Sequence, residues 1–240
     1  MILFGAPSGP RAHHQMHDGT SVWSTQILRA AEPAQPQAVL VEQSPHSVIK
    51  PHFHQTTQFQ VAVDGEGTLN NHDLRPVAVH YALRQTGYGP IVAGARGFAY
   101  LALRPARDPG PLWIPEDAAK LDRKGKRRQV TSASHAVRDA GASPRTLVDV
   151  LPLDDTALGA WLVHAWPGQR IAVPGGGGDG RFVIVLAGQL ATGEGLLERM
   201  AVAWLSADVA TCEIAAGPAG LDALVLQFPV GSTGPAVTAH

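Results

Sequence analysis

Apolar residues along this chain fall in short runs bounded by turn residues. Runs at Gln37–Glu42, Gln58–Val63, Val77–Leu83, Phe98–Leu103, Leu158–His164, Arg181–Leu186, Val202–Leu205 and Leu221–Phe228 predict strands. Gly or Pro stands near most of their ends. One stretch differs. Pro115–Leu121 opens on Pro, then Glu116 and Asp117, and predicts a helical turn. No apolar run reaches the ~18 residues that a membrane-spanning helix needs. The opening MILFGAPSGPRAHH has no charged start or sustained apolar stretch, so it is not read as a signal peptide. The expectation is a soluble cytoplasmic protein.

Composition sharpens the fold class. The 240 residues hold 26 Gly and 19 Pro, 45% are apolar and only 16% are charged. That balance points to an all-β protein with tight turns and is too apolar for a disordered chain. Lys plus Arg is 19 against 20 for Asp plus Glu. A near-neutral chain lacks the basic excess of a nucleic-acid binder. The one local excess, Lys120–Arg128, has no interleaved aromatics and is read as a solvated linker. Cys212 is the single cysteine, so no internal disulfide exists; it is expected to be buried and inert.

The chain repeats itself. IVAGARGFAYLAL at 91–103 and IAAGPAGLDALVL at 214–226 agree at six of 13 positions, at an offset of 123. That offset also pairs Phe59 with Phe182 and Gly65 with Gly188; one residue less pairs Pro45 with Pro167 and Ile49 with Ile171. Duplication of one β unit follows. The expected domains are 1–106 and 146–240, joined by a Pro-rich, charged linker at 107–145.

Histidine is concentrated in the first half: eight of 11 lie in residues 1–80. His52 and His54 are two apart, a spacing that puts both rings on one side of a strand. Neutral imidazole is a common ligand of transition metals. Gln58, with the same parity, could add a neutral oxygen.

Here the chain resembles the cupins, small jelly-roll β-barrels whose first motif is G-x5-H-x-H-x3-E-x6-G. The chain gives His46-x5-His52-x-His54-x3-Gln58-x6-Gly65. His46 replaces the usual Gly and Gln58 the usual Glu; Gly168 holds the first-glycine place in the second half. The resemblance covers both halves and implies two tandem cupin barrels. It implies one divalent transition metal, Fe, Zn, Ni or Mn, at His52, His54 and Gln58. The second motif, P-x-G-x2-H, should supply a further histidine. Its stretch, taken as Gly87–Gly94, has none. His80 is the nearest substitute, and Tyr88 is placed at the barrel mouth. The second half has VPGGGGDGR in place of the histidine pair, so it is read as metal-free, with Arg181 as a possible anion or ligand contact.

The glycines at 175–180 fit G-x-G-x-x-G, but they precede a strand instead of opening a helix, so no nucleotide cofactor is expected. His13, His14 and His17 are read as a flexible surface arm. Phe59, Val61 and Val63 could form a face between barrels or subunits, which motivates a homodimer. Two functions follow. One is a metal-dependent dioxygenase, isomerase or decarboxylase acting on a small organic molecule. The other is a metal-free barrel that binds a small molecule or acts as a scaffold.

Overall fold

A computed structural model describes residues 1–16, 19–122, 124–137, 147–209 and 211–233. Among them there is no α-helix. The predicted turn at Pro115–Leu121 is a turn closed by a single 3₁₀ segment at Ala118–Lys120. The described residues divide into two compact units, one of Ser8–His135 with 232–233 and one of Met1–Pro7 with the described part of Ala136–Gly231.

In the first unit a nine-stranded antiparallel sheet runs in the order Gln129–Thr131, Val79–Ala82, Gln58–Leu69, Ile91–Arg104, Gln37–Gln43, Ser21–Leu28, Ala12–Gln15. Val48–Ile49 joins Ile91–Arg104, and His72–Leu74 joins Gln58–Leu69. In the second unit the order is Ile2–Gly5, Val202–Leu205, Arg181–Thr192, Glu213–Gln227, Gly159–Ala165, Leu147–Leu151. The central strands of the two units match one for one along the repeat.

Glycine geometry carries the duplication down to the backbone. The long strands Gln58–Leu69 and Arg181–Thr192 each bend where the ladder shifts register. Gly65 and Gly188 sit there at φ of 68° and 71°, a left-handed backbone that favours glycine. A Cβ at Gly65 would lie 2.2 Å from the Gly97 carbonyl oxygen, and one at Gly188 would lie 2.3 Å from that of Gly220. His46, standing in a glycine place, takes the same left-handed conformation at φ 61°, as Gly168 does at 72°.

Packing follows the alternation of the strands. In the first unit Phe59, Val61, Tyr81, Leu101 and Leu103 are fully buried on one face, while Ala62, Ala82, Tyr100 and Ala102 belong to the core on the other. Phe182 repeats the burial of Phe59. Truncating either ring to Ala would cost about 3–5 kcal/mol.

Several expectations are corrected. Residues 107–135 are not a linker: Leu112–Trp113 pairs with His52–Phe53, and Gln129–Thr131 pairs with Val79–Ala82. The remainder of the expected linker, 138–146, lies outside the described residues. The boundary at residue 1 also moves, because Ile2–Gly5 pairs with Val202–Leu205 in the second unit. His13 and His14 are not a loose arm. They lie on a strand and bond Ser21 and Ser24; His17 is outside the described residues. In the basic stretch Arg127 donates to the Asp122 carbonyl at 2.7 Å and Arg128 lies 5.9 Å over the Tyr81 ring, while Arg123 is outside the described residues. Phe59, Val61 and Val63 are buried within the chain. Cys212 is half-buried, not buried. No helix of the described residues is long and apolar enough to cross a membrane.

Candidate metal and ligand site

The segment after Pro51 is too short to form a long strand, and His52–Phe53 is held from both sides instead. Trp113 pairs with His52 on one side. On the other, His52 and Tyr88 exchange two backbone hydrogen bonds of 3.0 Å. Phe53 points away and is fully buried. His52 and His54 therefore project together, with ring centroids 5.3 Å apart and planes at 84°. Both are buried, at 3% and 6% exposure.

Each ring is fixed through Nδ1. His52 Nδ1 donates to the Lys50 carbonyl at 2.8 Å, and His54 Nδ1 donates to Asp108 at 2.7 Å. Burial, reinforced by the neighbouring His54, pushes the His52 pKa down to about 3. Burial and the Arg104 cation push that of His54 down as well. Both rings are neutral with the proton on Nδ1, so Nε2 of each is the lone-pair nitrogen. Anchoring one ring nitrogen and freeing the other is how proteins orient histidine ligands.

Asp108 was not foreseen. It lies in the stretch taken for a linker, 54 residues from His54 in sequence. Its carboxylate also accepts from Thr56 N, Thr56 Oγ1 and Gly110 N. Burial opposes its ionisation, but these bonds and the Arg104 cation win, and its pKa lies well below the carboxylate range.

Tyr88 is the third group beside the pair. Its ring centroid is 4.6 Å from His52 and 6.4 Å from His54. At the spacing P-x-G-x2-H the chain reads Leu83-Arg84-Gln85-Thr86-Gly87-Tyr88. Gln85 has φ 60°, the left-handed backbone a glycine would supply. Counted from Leu83 rather than Gly87, that spacing puts Tyr88 in the histidine place. Relaxing the residue types while holding the spacing would have found it. Burial raises the Tyr88 pKa well above its ordinary value, so the phenol is neutral.

Gln58 donates to the Tyr88 hydroxyl and accepts from Arg104 Nε at 3.1 Å. Arg104 also donates to Gln37. Gln60 donates to the same hydroxyl at 3.4 Å. His80 faces Gln60 across the ladder, its centroid 5.2 Å from Tyr88. His80 Nδ1 is bonded to Thr131 Oγ1, while His80 Nε2 and Gln60 Oε1 are buried without a partner. Buried polar atoms left so mark where a polar guest would be satisfied.

Two lone-pair imidazole nitrogens suit a borderline transition cation. Among the described residues no cluster of three or more His, Cys, Asp or Glu could hold a metal ion. A third protein ligand would therefore be of another type, and Tyr88 and Gln58 are the groups at hand. The set lacks the direct carboxylates that Mg or Ca require.

Arg181 is bonded to the backbone of its own unit. It takes the place of Gln58 in the second unit, and Gln227 takes that of Arg104. The guanidinium is buried and donates to the carbonyls of Val173, Pro174, Gly175 and Val209. The glycine loop folds over it because glycines permit close approach. A Cβ at Gly178 would lie 2.2 Å from the Phe228 carbonyl oxygen.

No protein-family model and no curated protein matches the sequence. Solved structures do match in fold. A candidate dioxygenase from Nostoc punctiforme is 13% identical with a TM-score of 0.64, over 100% of this chain and 86% of that one. Pumpkin seed globulin is 10% identical with a TM-score of 0.60, over 95% and 85%. A bacterial pirin from Escherichia coli, in complex with nickel(II), is 10% identical with a TM-score of 0.58, over 96% and 100%. The chain shares their fold, the cupin barrel in tandem.

Proposed function

We propose that the N-terminal barrel binds one divalent transition metal, Fe, Zn, Ni or Mn, through Nε2 of His52 and His54, and presents it to a small organic molecule. One observation carries this reading: both Nδ1 atoms are committed to acceptors, leaving two neutral donor nitrogens on buried rings whose centroids are 5.3 Å apart. Such an ion, when bound, supplies a Lewis-acid or redox centre. The chain's residues do the rest. Asp108 orients His54, while Gln58 and Gln60 hold the Tyr88 hydroxyl beside the rings. Gln60 Oε1 and His80 Nε2 offer polar contacts to the guest. The reaction classes proposed are dioxygenation, isomerisation and decarboxylation. Neighbours described as a quercetin 2,3-dioxygenase and an oxalate decarboxylase support that range.

A second reading, ligand binding without metal or turnover, is favoured by Arg104. Its buried cation lies on Gln58 and opposes another positive charge there. Elemental analysis of untagged protein, with a panel of small acids and phenols assayed for turnover, separates the two. Metal lost in the His52→Ala, His54→Ala double variant supports the first reading. Protein that binds panel compounds without metal or turnover supports the second.

A further inference from the structure

We propose that the C-terminal barrel is a second binding site, for a small uncharged apolar molecule, independent of the metal chemistry of the first. The second unit contains a cavity of about 410 Å³. Val183, Ala203, Leu205 and Ile214 line it. At the offset of the repeat, Val183 stands where Gln60 stands in the first barrel and Ala203 where His80 stands. The ladder preserves the match, since Gln60 faces His80 and Val183 faces Ala203. The two positions that carry unpartnered polar atoms in one barrel are therefore aliphatic in the other. The equivalent positions of the two barrels thus differ in polarity, and the second suits an apolar guest.

The strand Ile2–Gly5 supplies another wall. Ile2 pairs with Leu205 and Phe4 with Ala203, and both Ile2 and Phe4 line the cavity. Each is 41% exposed. Large apolar side chains left open inside a concavity are what an apolar guest would cover. The charged groups lining the cavity, Arg170 and Glu213, bond each other at 2.9 Å and cancel, so nothing there selects a charged head. The volume suits a guest of roughly 10–20 non-hydrogen atoms.

Cys212 lines the same cavity and is the chain's single cysteine, which gives a direct readout. Full-length protein is titrated with the uncharged fluorophore N-phenyl-1-naphthylamine. The expected result is a saturable fluorescence rise at about one equivalent, with slower alkylation of Cys212 by iodoacetamide as the probe binds. Ala203→Phe, which fills the cavity, should weaken binding at least about tenfold. Phe4→Ser, at a half-exposed position that spares the core, should weaken it in the same direction and keeps the test valid if Ala203→Phe fails to fold. The anionic analogue 8-anilinonaphthalene-1-sulfonate should bind at least about tenfold more weakly than the uncharged probe. The His52→Ala, His54→Ala variant should bind the probe as the wild type does, so this result stands or falls apart from the metal reading. A non-saturable rise, equal binding of both probes, unchanged Cys212 alkylation, or full binding in a folded Phe4→Ser variant overturns the proposal.

Discussion

Nδ1 of His54 donates a 2.7 Å hydrogen bond to a carboxylate of Asp108 that is itself held by Thr56 and Gly110. The bond fixes which nitrogen of His54 carries the proton and how the ring is turned. Asp108→Asn removes the charge and can present an N–H to Nδ1, shifting the tautomer. Metal affinity is expected to fall about 10- to 100-fold while the fold survives. Competition against a chromophoric chelator measures it; unchanged affinity would remove Asp108 from the site.

Gln58 occupies the place where a carboxylate is usual in the first motif, and Arg104 is bonded to it. Gln58→Glu adds a negative charge next to the two imidazoles. It is expected to strengthen divalent-metal binding at least about tenfold despite its pairing with Arg104. Isothermal titration with Ni²⁺ or Zn²⁺ reads this directly, and weaker binding would show that Arg104 claims the new charge entirely.

The buried histidines set an acid limit on stability. Burial lowers the pKa of His52 and His80 from 6.5 to about 3. Between those values the unfolded chain binds protons that the folded chain does not. Their contribution is therefore fully present above pH 6.5 and is lost progressively as the pH falls toward 3. Asp108, with its lowered pKa, adds stability that is present above the ordinary carboxylate range and lost as the pH falls through its folded value. Metal-free protein should show Tm falling steadily below pH 6.5, with a shallower slope in His80→Leu. Equal slopes in the two proteins would contradict the burial of a neutral His80.

The bend glycines should be intolerant in both halves. Gly65→Ala and Gly188→Ala each place a methyl against a carbonyl oxygen at a left-handed φ. Each is expected to destabilise by about 2 kcal/mol or more. Gly193→Ala, with open space around it, is the control and should change stability by less than about 1 kcal/mol. Denaturant melts of the three variants decide it.

The repeat made the doubled β architecture legible, because Phe59, Gly65 and the 91–103 segment recur where backbone geometry allows few alternatives. The strand Ser21–Leu28 was not legible. The block Ser24-Thr25-Gln26 interrupts its apolar residues, and only Val22 and Ile27 are buried. The histidine pair was legible from local spacing. Asp108 and Trp113 were not, since they reach His54 and His52 from a stretch whose proline and charge read as linker. Tyr88 was seen but not its place in the motif, because the spacing survives while the residue types that mark it have changed. Arg181 was legible by position but not by its surroundings. It aligns with Gln58, yet its guanidinium is used up by backbone carbonyls of a loop that no local pattern predicts.

Elemental analysis of untagged, full-length protein after loading with Fe, Zn, Ni or Mn and removal of free ion tests the metal centre most directly. About one equivalent of one of these metals per chain, falling below about 0.1 when His52 and His54 are both Ala, is the predicted result. A folded wild type that retains less than about 0.1 equivalent of every one of them, or a double variant that retains as much as the wild type, would contradict it.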